Sequence, residues 1–581
     1  MPARHTTRKA ISTVFALVTF TACGDGTGPS TSEPIQNPSG PKNVGDLMSL
    51  NVNPLDPCTN PVYHGARVMA IGTKSIIYSD TLNPKNGFTT ADFEKYAARF
   101  DSLVYPIDVA NFGEPTDIDK NGRIAIVFTR AINELTPTKS ASYTGGLAFS
   151  RDLFPNAGTP RAQACQGSNQ GEYFYALAPD PLGEINGNPR PKGFVDSATT
   201  SVLAHELEHI INASRRLYVN VTPAFEEKWL DEGLAHVAEE LLFYRESQLS
   251  SRANLDINAL RTTNASRTAY NLDMSANASR LKSYLTAPST NSPYGLDDSL
   301  ATRGAAWSFL RYAVDRVNAT DVPTAVNTNT LTGAGELTIS AGPTLGEYAL
   351  VIVNTSLVGG PSTNFTLKNA SVNAVSVPSA SMDARPEART DGETTLRLDD
   401  AMESRRHTRE RAELTPLFAA ARAWYATQRF PAPATFSRAA STETYAGATA
   451  ATDAELWYRL VNNQSVGMAN LQSIFGTDIA GFVRDWSVSQ AVDDVASVNT
   501  QYQQRSWNWH SIYPNVGTIL SPYPLNNPTL PINSTFNSSV LAGGAVFYRF
   551  TLSASGSITL TLSAPGGVAN PNLQLVVVRT K

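Results

Sequence analysis

The chain has 581 residues and a formal net charge of −5, well beyond the ~100–200 residues of one domain, which excludes a minimal stapled scaffold and sets the expectation at two or three domains. Apolar residues make up 41% and charged residues 17%, which excludes wholesale disorder. The slight acidity gives no general attraction to polyanions, so no nucleic-acid partner is expected.

Arg4, Arg8 and Lys9 precede an apolar run over residues 10–22, shorter than the ~20 residues of a membrane-spanning helix, so residues 1–22 are expected to be a signal peptide. Phe20-Thr21-Ala22-Cys23 resembles a bacterial lipobox, with Phe20 where leucine is usual. Cys23 would then carry a lipid that tethers the chain to a membrane; ordinary secretion is the alternative. The expected location is the bacterial cell envelope, periplasmic or at the cell surface, or the exterior. Residues 23–43, rich in Gly, Pro and Ser, suit a flexible spacer. Of the three cysteines, Cys58 and Cys165 remain as one candidate disulfide, two buried thiols being the other outcome.

From residue 44 to about 178 the text is mixed α/β. Thr90 can cap a helix carrying Phe93, Tyr96, Phe100 and Leu103 at helical spacing, while Ile124, Ile126 and Phe128 alternate as in a strand. Asp117-x-Asp119-x-Asn121-Gly122 resembles the start of a Ca2+ loop, but the twelve-residue spacing would require an acid where Phe128 stands, which favours a plain Asx turn.

Three of the seven histidines, His205, His209 and His236, fall close together. The segment from Ser201 to Ile211 holds no Gly or Pro and reads as a helix, with Asp196 or Ser197 available as its N-cap. His205 and His209, one turn apart on one helical face, can both reach a Zn2+ ion at ~2.0–2.1 Å. Glu206, one step round the helix, suits a general base acting on a metal-bound water. A catalytic zinc takes a third protein ligand and keeps one open position. The Gly and His that continue this motif in metzincins are absent, Asn212 and Arg215 standing there. Downstream, Glu232 and His236 lie four apart on a second helical segment, and spacing alone leaves either as the third ligand.

His205-Glu206-x-x-His209 followed by Trp229-Leu230-Asp231-Glu232-Gly233-Leu234-Ala235 resembles the gluzincin metallopeptidases, whose third ligand is the Glu of a Trp-Leu-Asn/Asp-Glu-Gly segment; by that resemblance Glu232 is the ligand. Within that clan the chain is most similar to the hyicolysin-like peptidases, through Asp119-Lys120-Asn121-Gly122 and Gly171-Glu172-Tyr173-Phe174-Tyr175. The resemblance spans roughly residues 44–315 and implies a zincin-like fold. It further implies that the segment from Tyr173 to Leu177 is a sheet edge along which an extended peptide lies. A donor for the oxyanion would come from His236 or Tyr244, left unranked.

Arg303 to Tyr312 reads as an apolar core helix. Residues 336–340, 347–353 and 363–368 read as strands, residues 402–428 as a charge-mixed solvated helix, and residues 453–495, with Trp457 and Trp486, as helical text completing the lobe. Residues 546–552, 557–562 and 572–578 read as three terminal strands resembling half of a bacterial pre-peptidase C-terminal sandwich, expected to pack with the earlier β segment. The expected organisation is a catalytic domain over 44–325, a β module over 326–376, a helical or linker insertion over 377–450, helical completion over 451–500 and a C-terminal β module over 535–581. The fold class is therefore an α/β (α+β) zincin-like metallopeptidase lobe with an additional all-β sandwich module. The expected function is a zinc endopeptidase acting on proteins or peptides outside the cytoplasm. An envelope-anchored binding or adhesion lipoprotein with a structural or inactive zinc site is the alternative.

Overall fold

The computed structural model describes residues 43–317, 328–375 and 530–579 apart from short interruptions, and scattered positions between 457 and 512. The signal segment, Cys23, the spacer before residue 43, the insertion over 377–450 with its charge-mixed stretch, and all but six positions of 451–500 lie outside the described residues.

The first sheet orders its six strands β1-β2-β3-β4-β6-β5. β1 (Leu47–Asn51), β2 (Tyr63–Ile71) and β3 (Ser75–Asp80) form an antiparallel meander. β3, β4 (Ile124–Thr129) and β6 (Tyr173–Leu177) run parallel, and β5 (Gly146–Ala148) closes the end antiparallel to β6. A β3-to-β4 connection between parallel strands needs a crossover. α1 (Thr90–Arg99) and α2 (Tyr105–Phe112), joined by one π-helical turn, supply it. The cap of α1 is Thr89 rather than Thr90, because Asp92 returns a bond to the Thr89 amide and completes a capping box. The short α3 (Arg130–Glu134) follows β4.

All six residues of β4 are buried, not alternate ones, because both sheet faces are covered. Ile124, Ile126 and Phe128 face a helical core, while Ala125 and Val127 face a second cluster with Tyr175, Phe149 and Leu217.

The helical side is built from α4 (Lys192–Tyr218), α5 (Lys228–Ser247), the short α6 (Ile257–Arg261) and α7 (Asn264–Ala269), α8 (Ser275–Thr286) and α9 (Leu300–Val317). α8 and α9 approach so closely at Gly304 that a Cβ there would lie 2.3 Å from the Arg280 and Leu281 backbone. Chain from beyond the β segment returns to this core. Trp486 packs against Tyr284 and edge-on to Phe309, and the indoles of Trp307 and Trp507 both donate to the buried Glu240 carboxylate at 2.9 Å.

The second sheet is all antiparallel and draws its strands from both β segments. β7 (Thr328–Thr332), β8 (Gly335–Ser340), β9 (Gly346–Asn354) and β10 (Thr363–Val375) interleave with β11 (Thr535–Val540), β12 (Ala545–Ser563) and β13 (Leu573–Arg579). The order is β11-β10-β12-β9-β13-β7, with β8 beside the far half of β12. The two β modules of the sequence reading are thus one sheet. The strands read at 546–552 and 557–562 are a single 19-residue strand, β12, and β11 precedes it. Leu350, Ile352, Phe550, Leu560 and Val577 share the core of this sheet, while Val351, Val353, Phe547, Val576 and Val578 face the helical core. Period-two alternation here separates two buried faces rather than core from solvent.

Candidate metal centre

α4 begins at Lys192, directly after Pro191, so Asp196 and Ser197 lie inside the helix instead of capping it. Proline at the helix entry loses no internal hydrogen bond. Asp196 instead reaches α1, accepting from Lys95 Nζ at 2.8 Å and from the Tyr96 hydroxyl at 2.5 Å. Lys192 pairs with Asp92 at 2.7 Å alongside. These links fix the first turns of α4 against the sheet-covering helix and so set the direction in which His205, Glu206 and His209 project.

His205, Glu206, His209 and Glu232 are all buried, and the structure brings the two imidazoles and the α5 carboxylate together. His205 Nε2 and His209 Nε2 are 3.2 Å apart; His205 Nε2 lies 3.6 Å from Glu232 Oε2 and His209 Nε2 3.9 Å from Glu232 Oε1. Ligands of a tetrahedral ion at ~2.0–2.1 Å sit about 3.4 Å from one another, so the three groups surround a space of the right size. The donor set, two imidazole nitrogens and a carboxylate, suits zinc.

The other ring nitrogens are held by carboxylates. His205 Nδ1 lies 2.8 Å from Glu239 Oε1, and His209 Nδ1 lies 3.2 Å from Asp231 Oδ2. Each pairing leaves Nε2 as the lone-pair nitrogen turned toward the shared space. Glu232 is flanked by Lys228 Nζ and by the buried Arg303 Nη1, both at 3.0 Å, which compensate its charge in a buried place. Burial pushes Glu239 up, but the imidazoles of His236 and His205 outweigh it and hold the carboxyl at about 2. Burial and the Arg280 guanidinium push His236 down to about 4.

Beside the histidines runs a cleft of about 470 Å³, partly open, whose lining includes Gly146, Val202, His205, Glu206, Asp273 and Arg280. Its rim is β5. Because β6 pairs with β4 on one side and β5 on the other, the Tyr173–Leu177 strand is interior and not the sheet edge expected from the sequence. The edge is Gly146–Ala148, which lies directly over Glu206. A smaller recess of about 250 Å³, walled by Tyr143, Leu177, Val195 and Val202, adjoins the cleft.

Neither expected oxyanion donor lines the cleft. His236 stands behind His205, ring centroids 4.8 Å apart, held between Glu239 and Arg280. Tyr244 packs on Phe243 and Trp507 with Arg311 over its ring. The cation that does line the cleft is Arg280, from α8, which also bonds Asn277 Oδ1 at 3.1 Å. No local motif marks Arg280; α8 brings it there by packing on α9, with Asn277 and Arg280 bonded to His236 of α5.

Elsewhere, Cys58 and Cys165 are joined, with Cα atoms 4.8 Å apart. Asp117 and Asp119 form side-chain turns, accepting from the Gly122 and Asn121 amides respectively.

No protein-family model matches the chain. It is 30% identical over 156 residues to the neutral metalloprotease ShpI of Staphylococcus hyicus, a match that covers 27% of this chain and 32% of that protein. The chain thus spans about a third of the length of the curated relative it matches. The similarity supports a distant metalloprotease relationship. A metalloprotease implies a metal, and the group His205, His209 and Glu232 is among those in the structure able to hold one.

Proposed function

We propose that the chain is a zinc-dependent endopeptidase of the gluzincin type that hydrolyses protein substrates outside the cytoplasm. The observation that carries this reading is the convergence of His205 Nε2, His209 Nε2 and the Glu232 carboxylate beside Glu206, at the floor of a cleft rimmed by an edge strand.

Bound by those three residues, zinc would supply Lewis acidity toward a peptide carbonyl and lower the pKa of a water toward ~7. Glu206 takes the proton of the attacking water and passes it to the departing amine nitrogen, so that the carboxylate is regenerated and one amide bond is exchanged for an acid and an amine. The outer side of β5 offers main-chain groups to an extended substrate, which this arrangement holds across Glu206. Arg280 stands in the same cleft as a cationic donor for negative charge developing on the carbonyl oxygen. Export through the N-terminal segment, with lipid on Cys23, belongs to the same reading and would hold the enzyme at the cell envelope.

The test is cleavage of casein by purified protein of known zinc content. Activity lost on chelation, restored by zinc, and absent from Glu206→Gln protein that still binds zinc is the expected result. Zinc-loaded protein that leaves casein intact would instead favour a binding lipoprotein with an inactive metal site.

A further inference from the structure

Three carboxylates converge at a second place, on the loop between α2 and β4 and the residue just before β6. Oxygens of Asp117, Asp119 and Glu172 lie within 4.8 Å of one another. Asp117 is exposed, Asp119 half-buried and Glu172 only 1% exposed. Glu172 is aimed by two donors to a single oxygen, the Thr116 hydroxyl at 2.9 Å and the Ile118 amide at 3.0 Å, both to Oε1. Its other oxygen, Oε2, is shut off from solvent without a hydrogen-bond partner. Among the described residues no Lys, Arg or His forms an ion pair with any of the three. A buried carboxylate oxygen with no donor, on a carboxyl that sits beside two more and has no counter-charge, is costly unless a cation completes the group.

We infer that Asp117, Asp119 and Glu172 form a second metal site, distinct from the histidine centre, that takes one calcium ion. Oxygen-only donors select a hard cation. Three carboxylates from two separate chain segments suit calcium, which accepts six to eight oxygens in flexible geometry, whereas magnesium keeps several waters and takes one or two carboxylates. Without a cation, burial and the neighbouring carboxylates push Glu172 up to about 8, and Asp119 is pushed up to about 7, chiefly by burial. Glu172 directly precedes β6, whereas Gly146, the β5 residue that lines the cleft, lies opposite Ala176, about 13 Å along the strand at ~3.3 Å per residue. Its work is to pin the α2–β4 loop to the strand that supports the cleft edge. The inference stands whether or not the chain is a peptidase.

The full chain, stripped with EDTA and reloaded with one equivalent of zinc, is titrated with calcium by calorimetry and followed by thermal unfolding. Terbium luminescence is the second readout, since Tyr173 and Tyr78 stack beside Asp119 and can sensitise it. One saturable calcium site is expected, weakened about tenfold or more in Glu172→Gln. Glutamine keeps an acceptor for Thr116 and Ile118 and removes a carboxyl that must be protonated, or buried charged, when no cation is bound, so the order of stability should cross: the variant melts higher without calcium and lower with it. Asp117→Asn, at an exposed position, should lose the terbium signal in the same way and keeps the test open if Glu172→Gln fails to fold. Absence of saturable binding, unchanged affinity in both variants, or magnesium bound as tightly as calcium would overturn the assignment.

Discussion

Gly146 on the edge strand sits so close to Glu206 on α4 that a Cβ added to the glycine would lie 2.8 Å from Glu206 Oε1 and 2.6 Å from Val202 Cγ1. Glu206 Oε1 ends a flexible side chain that can turn aside, whereas Val202, β-branched on a helix, is stiff at χ1, so alanine at 146 is expected to push β5 slightly away from α4 and to displace the proposed base. A shift of ~1 Å in a reacting group can cost about 10²-fold. Gly146→Ala should therefore lower kcat for casein peptides by one to two orders of magnitude with zinc content unchanged. Full activity in that variant would show that Glu206 does not act from its observed position.

The carboxylates behind the histidines make a separable prediction. Glu239 and Asp231 hold His205 Nδ1 and His209 Nδ1 at 2.8 and 3.2 Å, and removing such a partner typically costs 10–100-fold in metal affinity. Glu239→Gln and Asp231→Asn should each weaken zinc binding by that range in a competition assay with a chromophoric chelator. Excess zinc should restore much of the activity, which distinguishes these residues from Glu206, whose loss no zinc concentration repairs.

Acid lability should report the α1–α4 clamp. Although partial burial pushes Asp196 up, Lys95 and Tyr96 hold it below the usual carboxylate range. A carboxyl depressed in the folded state adds stability above its unfolded pKa of ~3.8 and loses it as pH falls through the folded value. Because the side chain is 37% exposed, screening limits the effect to about 0.5 kcal/mol. Asp196→Ala should be less stable than the parent by that amount at pH 7, and the difference should close near pH 3, as read by urea denaturation.

The parts of this molecule that were legible in the sequence are those whose determinants are local. The His205-Glu206-x-x-His209 spacing requires a helix to mean anything, and the helix is there; the alternation of Ile124, Ile126 and Phe128 marks β4, and the strand is there although both of its faces are buried. Glu232 and His236 could not be separated by spacing, since both lie on one face of α5; the structure puts Glu232 beside His205 Nε2 and His209 Nε2 and His236 behind His205. The edge strand was misassigned because Gly146–Ala148 is three residues long, too short to show a period. Arg280 and Glu172 reach their clusters through contacts between distant segments, which no local pattern encodes. The two β segments are expected to pack together, and they do; what no local pattern encodes is that they interleave strand by strand, β10 and β11 being neighbours in the sheet although residues 376–534 separate them.

That interleaving leads to the last prediction, which concerns what happens when the C-terminal segment is removed. β12 pairs with β8, β9 and β10, so a chain ending at residue 529 loses the strand that joins three others and leaves their edges open. It also uncovers the helical core where Phe547, Val576 and Val578 pack, each worth roughly 1.5–3 kcal/mol of burial. Those three alone approach the ~5–15 kcal/mol that holds a typical domain together. The truncated chain should accordingly be insoluble, or fail to unfold cooperatively and be digested rapidly by trypsin, instead of yielding a free catalytic lobe. A soluble product with a parental melting temperature and undiminished casein cleavage would mean that the sheet is an appendage, and that the apolar contacts of β9 and β13 with the helical core contribute little to the fold.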